Sequence, residues 1–277
     1  MEIISVVLSS LLLLISPVGF VVDQVAEDSI RSRLLAAESL QVRVDNGSPI
    51  QLLQGRVERV RIAGRGIVPK DDLRIEVAEL ETDPIDLEFE SLRNGEVVLD
   101  EALQGALRLV LVEEDLNRYL ASNAIVNRLS RLRVGGLNPA QSRERDRYQI
   151  NNPSIQFLPG DRLKVSLELE DLVRGGALMI DAESGLSISE GDRLILVEPT
   201  LVVDGVPAPK QLVNSLVGGI NQRLSLQQLD RLGVTARVID FSVQPDGLEL
   251  AMWVRVDPSV TAPEMAAIEG SISGSEP

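Results

Sequence analysis

The sequence predicts an α+β fold built on a long antiparallel sheet, and three observations predict it. From Gly55 to Val112, apolar and charged residues alternate with a period of two. The same alternation returns between Phe157 and Val256. In each half, strands feed a helix rich in apolar residues. Successive amphipathic strands joined by short turns make a sheet with one apolar face, and helices line that face.

In chain order, Ile3 to Val22 comes first, an apolar run broken only by serines, Pro17 and Gly19. Its length of about 20 residues is what a bilayer helix needs. Glu2 stands where a secretory signal carries basic residues, and no clear small-x-small cleavage site precedes Asp23. Residues 1–22 therefore read as a membrane-inserting segment or an uncleaved signal. Ser16-Pro17 has the form of a cap followed by proline at the first helical position. From there Val18, Val21, Val22 and Val25 make a stripe that continues through Ile30 and Leu34. A longer helix packed inside the domain is the alternative. Arg31 and Arg33 follow Asp23, Glu27 and Asp28, so the charges do not fix an orientation.

Gln41 to Asp45 begins the strands, with Asn46-Gly47 as a turn signal. Val57, Val60 and Ile62 then alternate with arginines, and Leu73, Ile75 and Val77 with Arg74 and Glu76. Ile85, Leu87 and Phe89 alternate with Asp86, Glu88 and Glu90, Asn94-Gly95 marks a hairpin, and Leu107, Leu109 and Leu111 close the run. Glu113, Glu114 and Asp115 open a helix with the acidic first turn its dipole favours. That helix is expected to reach about Leu132. Its apolar residues spread around the axis, as in a helix enclosed on several sides. Gly135-Gly136 ends it, and an arginine-rich loop runs from Asn138 to Tyr148.

The second half repeats the pattern. Phe157 leads through Pro159-Gly160-Asp161 into Leu163, Val165, Leu167 and Leu169, and the segments 177–188 and 194–203 meet across Glu190-Gly191-Asp192. Pro207 and Pro209 start a helix whose Leu212, Val213, Leu216, Val217, Ile220 and Leu224 share one face. Ser225-x-x-Gln228 has the spacing of a capping box for a short helix ended by Gly233, and a last hairpin turns at Pro245-Asp246-Gly247. Strands followed by a helix thus occur twice, as in a structural duplication without sequence identity. Residues 258–277 have the Pro, Ser, Gly and Glu composition of a disordered tail.

Composition excludes much chemistry. Cysteine and histidine are both absent, which removes disulfides, thiolate metal sites, cysteine nucleophiles, the usual neutral-pH general base and the commonest metal ligand. No nucleophile elbow, phosphate loop or dinucleotide fingerprint occurs, so no catalytic residue, metal site or cofactor is expected. Carboxylate pairs of the glycosidase kind need only spatial proximity and stay open. The formal charge of −15 argues against a nucleic-acid partner. Hydrophobic residues are 44 % of the chain but aromatics only 3 %, so Leu, Val and Ile fill the interior. Such an interior packs against itself or around acyl chains. In this acidic chain Arg56, Arg59, Arg61 and Arg65 crowd one strand tract. They are candidates to hold anionic head groups, or else partners for glutamates on a neighbouring strand such as Glu76, Glu88 or Glu90.

Three stretches also carry a resemblance: Ser16-Pro17-Val18-Gly19 running into Ile30-Arg31-Ser32-Arg33-Leu34, the segment GRVERVRIAGRG at 55–66, and LETDPIDL at 80–87. Together they resemble the bacterial LmeA-type phospholipid-binding family across most of residues 17 to 256. The resemblance implies a tubular lipid-binding fold, with a strongly curved antiparallel sheet wrapped around long amphipathic helices. It further implies non-enzymatic phospholipid binding, lipid transfer or envelope maintenance, and a membrane-associated, extracytoplasmic location. The lipid-binding domain then spans residues 23–257. Acyl chains are expected in an aliphatic groove between sheet and helices, along Leu212, Val213, Leu216, Val217 and Ile220. The competing reading is a structural module with a filled core, acting as an assembly partner at a membrane.

Overall fold

The structure is a computed structural model and describes residues 27–126 and 148–258, apart from 29, 33, 46–49, 52–53, 71, 89, 92–97, 123–124 and 232. The apolar segment 1–22, the turns Asn46-Gly47 and Asn94-Gly95, the Gly135-Gly136 stop, the arginine-rich loop up to 147 and the tail from 259 lie outside the described residues. Among the described residues no helix is long and apolar enough to cross a membrane.

The class is α+β, and the strands are almost entirely antiparallel and divided between two main sheets. The strands are β1 (Ser39–Asp45), β2 (Arg56–Val57), β3 (Arg59–Lys70), β4 (Leu73–Thr82), β5 (Ile85–Asp86), β6 (Leu103–Leu111), β7 (Tyr148–Leu158), β8 (Arg162–Asp171), β9 (Ala177–Ser189), β10 (Arg193–Val203), β11 (Val206–Pro207), β12 (Val234–Gln244) and β13 (Gly247–Val256). Three helices accompany them: α1 (Glu113–Leu120), α2 (Lys210–Arg223) and α3 (Gln227–Asp230).

The chain divides into two compact units. The first takes the chain up to Val110, Leu226–Asp240 and everything from Leu250. It holds a six-stranded sheet in the order β1-β3-β4-β6-β13-β12 and the small β2-β5 pair. One side of that sheet makes a closed core: Leu73, Ile75, Ile67, Val60, Met252 and Val234 are among the most buried of the described side chains. Period-two alternation accounts for this core, with Leu250, Met252, Val254 and Val256 buried along β13.

Alternation fails at one place in β4. Positions 73, 75 and 77 are buried, and then 78, 80 and 82. On the facing strand, Gly66 lies between Arg65 (opposite Val77) and Ile67 (opposite Ile75) and adopts φ of 55°. Only glycine reaches that conformation freely, and the kink lets the buried side of the ribbon change there.

Three local expectations are corrected. Ile85 and Leu87 do not start a third long strand, and Phe89 lies outside the described residues. β5 is two residues long and pairs with β2, and Leu87 makes only an isolated bridge to Leu99. Ile85 and Leu87 are nevertheless buried. Alternation located the core side but not the partner strand. The first helical residues end at Arg31, and Leu34 sits in a bend before Ala36 bridges Val68. Ser225 does not cap the short helix: Leu226 is the cap residue of α3, and no side-chain cap bond forms.

The second unit takes Leu111–Ser225 and Phe241–Glu249. Its five-stranded sheet has the order β11-β10-β9-β8-β7. Tight turns of the expected kind join the strands. At the three-residue β9–β10 turn, the Asp192 N–H donates to the Ser189 carbonyl at 3.3 Å, and Glu190 and Gly191 between them both have positive φ. α1 has the expected acidic first turn but ends at Leu120, well before Leu132. Ile125 and Val126 are helical again, and the residues just beyond 126 lie outside the description.

Candidate functional site

At β7, and along the part of β10 that β11 does not cover, helix residues satisfy edge groups of the second unit's sheet. On β7, the Asn117 carboxamide of α1 accepts the Ile155 N–H at 2.7 Å and donates to the Ile155 carbonyl at 2.9 Å. The Glu113 carboxylate accepts the Phe157 N–H at 2.8 Å. On β10, the Leu194 N–H donates to the Leu224 carbonyl, and the Leu196 N–H to the Asn221 side-chain oxygen at 3.1 Å. Backbone groups that would invite another strand are thereby satisfied.

The faces are another matter. β8 has β7 and β9 on its two edges, yet all ten of its residues are only half-buried, including Leu163, Val165, Leu167 and Leu169. A central strand protected on both edges can be half-exposed only through its faces. The apolar face runs across register: Leu163 lies opposite Phe157, Val165 opposite Ile155 and Ala182, Leu167 opposite Ile180, and Leu169 opposite Leu178. Phe157 and Leu186 are buried, whereas Leu178 is exposed.

α2 continues this open apolar surface. Its residues with described side chains include none that is buried. Val213, Leu216 and Val217 are half-buried, and Leu212 and Ile220 are 46 % and 43 % exposed. A 14-residue helix normally stays folded by burying an apolar stripe. Here the stripe Leu212–Leu216–Ile220 is only partly covered. The five residues expected to line a groove thus share one helix, as their spacing predicts. The sequence reading did not single out the half-open apolar residues of β8 and β9. Their signal was the strict alternation of 163–169, which does not reveal how far the apolar side is covered.

The opposite side of β8 and β9 is polar and ion-paired. Lys164 lies 2.8 Å from the Asp181 carboxylate, and the Ser166 hydroxyl donates to it at 2.6 Å. These two hydrogen bonds, Lys164 first, hold the Asp181 pKa below the usual aspartate value. Arg162 bridges to Glu183 at 2.8 Å.

In the first unit, Arg59 and Arg61 share the face opposite Val60 and Ile62, as alternation predicts, and Arg65, whose side the sequence left open, is exposed further along the same strand. Their charges are differently committed. Arg59 pairs with Glu81 at 3.1 Å, and Arg61 with Asp45 at 3.1 Å and Glu81 at 3.3 Å. Arg56 pairs with Asp86 at 3.0 Å across the β2–β5 pair. Among the described residues Arg65 has no ion pair. The hydrogen bond from Arg43, then the charges of Arg43, Arg61 and Arg59, lower the Asp45 pKa. The glutamate and aspartates that pair with these arginines are Glu81, Asp45 and Asp86 rather than Glu76, Glu88 or Glu90. Beside them is a shallow depression of about 350 Å³ whose lining includes Ala63, Ala106 and Ala251 between the Arg61–Glu81 and Glu79–Arg108 pairs.

Among the described residues no group of acidic side chains is placed to hold a metal ion. A family model described as LmeA-like phospholipid-binding matches residues 15–252. No curated protein and no solved structure matches the chain.

Proposed function

Because the chain belongs to the LmeA-like phospholipid-binding family, we propose that it is a non-enzymatic, membrane-associated phospholipid-binding protein whose lipid seat is the open apolar surface of the second unit. The observation that carries this reading is the half-exposure of an interior strand, β8, together with a helix, α2, that has no fully buried side chain among those described. Contiguous uncovered apolar surface of this kind marks a binding site. Acyl chains lie along Leu212, Val213, Leu216, Val217 and Ile220 and over the aliphatic side of β8 and β9.

Burial of an acyl chain contributes about 0.8 kcal/mol per CH₂, so a sixteen-carbon chain gains on the order of 10 kcal/mol when enclosed and roughly half that when half-covered. Ordering costs subtract from either figure. The seat therefore suits reversible holding and hand-over of lipid, which is the basis for a role in lipid transfer or envelope maintenance. Independently of that seat, Arg56, Arg59, Arg61 and Arg65 of the first unit are proposed to contact the anionic head groups of a membrane surface. The exposed ion pairs of Arg56, Arg59 and Arg61 are worth little individually, so an anionic phosphate can displace a carboxylate partner. The apolar segment 1–22 is proposed to hold the protein at a membrane with this domain on the extracytoplasmic side.

The competing reading, an assembly partner with a filled core, draws its support from the closed interior of the first unit. Mass spectrometry of lipid co-extracted with the purified protein separates the two. Stoichiometric phospholipid supports the lipid seat, and its absence after mild extraction favours the assembly module.

A further inference from the structure

Six of the eleven exposed large apolar side chains among the described residues gather at one end of the second unit's sheet: Leu172, Val173, Leu178, Met179, Val206 and Leu212. They come from the β8–β9 turn, the start of β9, the start of β11 and the first turn of α2. Hydrogen bonds bring the turns to the same end. The Met179 N–H donates to the Asp204 carboxylate at 2.8 Å, and the Asp204 N–H donates to the Met179 carbonyl at 2.9 Å. The β8–β9 turn is fixed by Asp171, whose carboxylate accepts the N–H groups of Val173 and Arg174, each at 3.0 Å. Val173 at 74 % and Val206 at 66 % are therefore held out in water by ordered turns.

We propose that this end of the sheet docks on a lipid bilayer, with the apolar turn residues inserted among the lipids and Arg174 and Lys210 against anionic head groups. Charge favours that partner. The two aspartates of the turns are bonded to backbone N–H groups, whereas Arg174 and Lys210 are exposed and form no ion pair among the described residues. Cations beside a shallow apolar insertion are the arrangement that holds a protein to an anionic interface. Continuity favours it as well, and here the inference rests on the lipid seat proposed above. Leu178 begins the apolar side of β9 opposite Leu169, and Leu212 begins the stripe of α2. An acyl chain leaving a bilayer at this end meets the open apolar surface without crossing water.

The absence of cysteine permits a site-specific test in the full chain. Single cysteines at Val173→Cys and, as a control, at the exposed Ser187→Cys near the other end of β9 carry an environment-sensitive fluorophore. The protein is reconstituted with phosphatidylcholine–phosphatidylglycerol vesicles containing nitroxide-labelled lipid. The expected result is a blue shift and quenching at position 173 and neither at 187. In a Val206→Cys protein, adding Leu172→Asp and Val173→Asp should lower the quenched fraction about tenfold, since two inserted apolar side chains are replaced by charges. Equal signals at 173 and 187 overturn the proposal. So does a shift at 173 that needs no vesicles and grows with protein concentration, which would make the patch a contact between copies. Lipid co-purified with the same proteins, extracted before any vesicle is added, keeps the two proposals apart. Bound lipid with an unquenched label removes the docking end alone, and a quenched label without bound lipid removes the seat alone.

Discussion

Replacing Leu212 and Ile220 together by glutamine tests the lipid seat most directly. Glutamine is as good a helix former as leucine, so α2 itself should persist. Each side chain is already nearly half in water, at 46 % and 43 % exposure. Full burial of such a side chain is worth about 1.5–3 kcal/mol, so each change should cost the folded protein about 1 kcal/mol. Two such changes lower the melting temperature by roughly 4–8 °C in a domain of this size. An acyl chain lying along the stripe loses more. It forfeits two apolar contacts and leaves two amides desolvated without partners, at about 1–3 kcal/mol each. The combined effect on lipid retention is on the order of a hundredfold or more. The assay pairs quantitative lipid extraction from the purified full chain with a thermal melt followed by circular dichroism. A folded double variant that retains as much phospholipid as the parent refutes the reasoning and removes α2 from the seat.

Four other outcomes are expected. Arg59→Gln with Arg61→Gln should weaken binding to anionic liposomes with a melting temperature near that of the parent, because exposed ion pairs with Glu81 and Asp45 add little stability; unchanged liposome binding would discharge both residues from the head-group role. Asn117→Ala should cost about 1–3 kcal/mol and speed amide exchange at Ile155, since one side chain satisfies both backbone groups of that edge residue; exchange at the parental rate would contradict this. The Asp181 pKa is lowered by folding, so its contribution to stability is present above its ordinary value of 3.8 and is lost as the pH falls below it. Asp181→Asn should therefore flatten the acid limb of a melting-temperature profile below about pH 4, and an identical acid limb would sink the assignment. Deleting residues 1–22 should release the protein to the soluble fraction, whereas a full chain already soluble without detergent would refute the anchor.

Period-two alternation determined most of what the chain says about itself. It located the strands that make the class α+β and the buried side of β13, and it put Arg59 and Arg61 on the wet face of β3. Helical spacing placed Leu212, Val213, Leu216, Val217 and Ile220 on one helix. These signals are local, set by where successive side chains point along one element. Pairing is not local. Nothing in the alternation of Ile85 and Leu87 distinguishes a long strand from the two-residue partner of β2, because both bury the same side chains. The change of buried side in β4 depends on a kink at Gly66 in a different strand. The arginines found their carboxylates through strand register, with Arg61 opposite Glu81 and Arg43, while Arg59 stands opposite Asp45. Coverage was decided last and by tertiary structure alone. The alternation of Leu73, Ile75 and Val77 in β4 and that of Leu163 to Leu169 in β8 read alike, yet Ile75 is buried and the β8 residues are half-open. An apolar face records only that water is unfavourable there. Whether protein or lipid excludes that water depends on what the rest of the chain brings to lie against it.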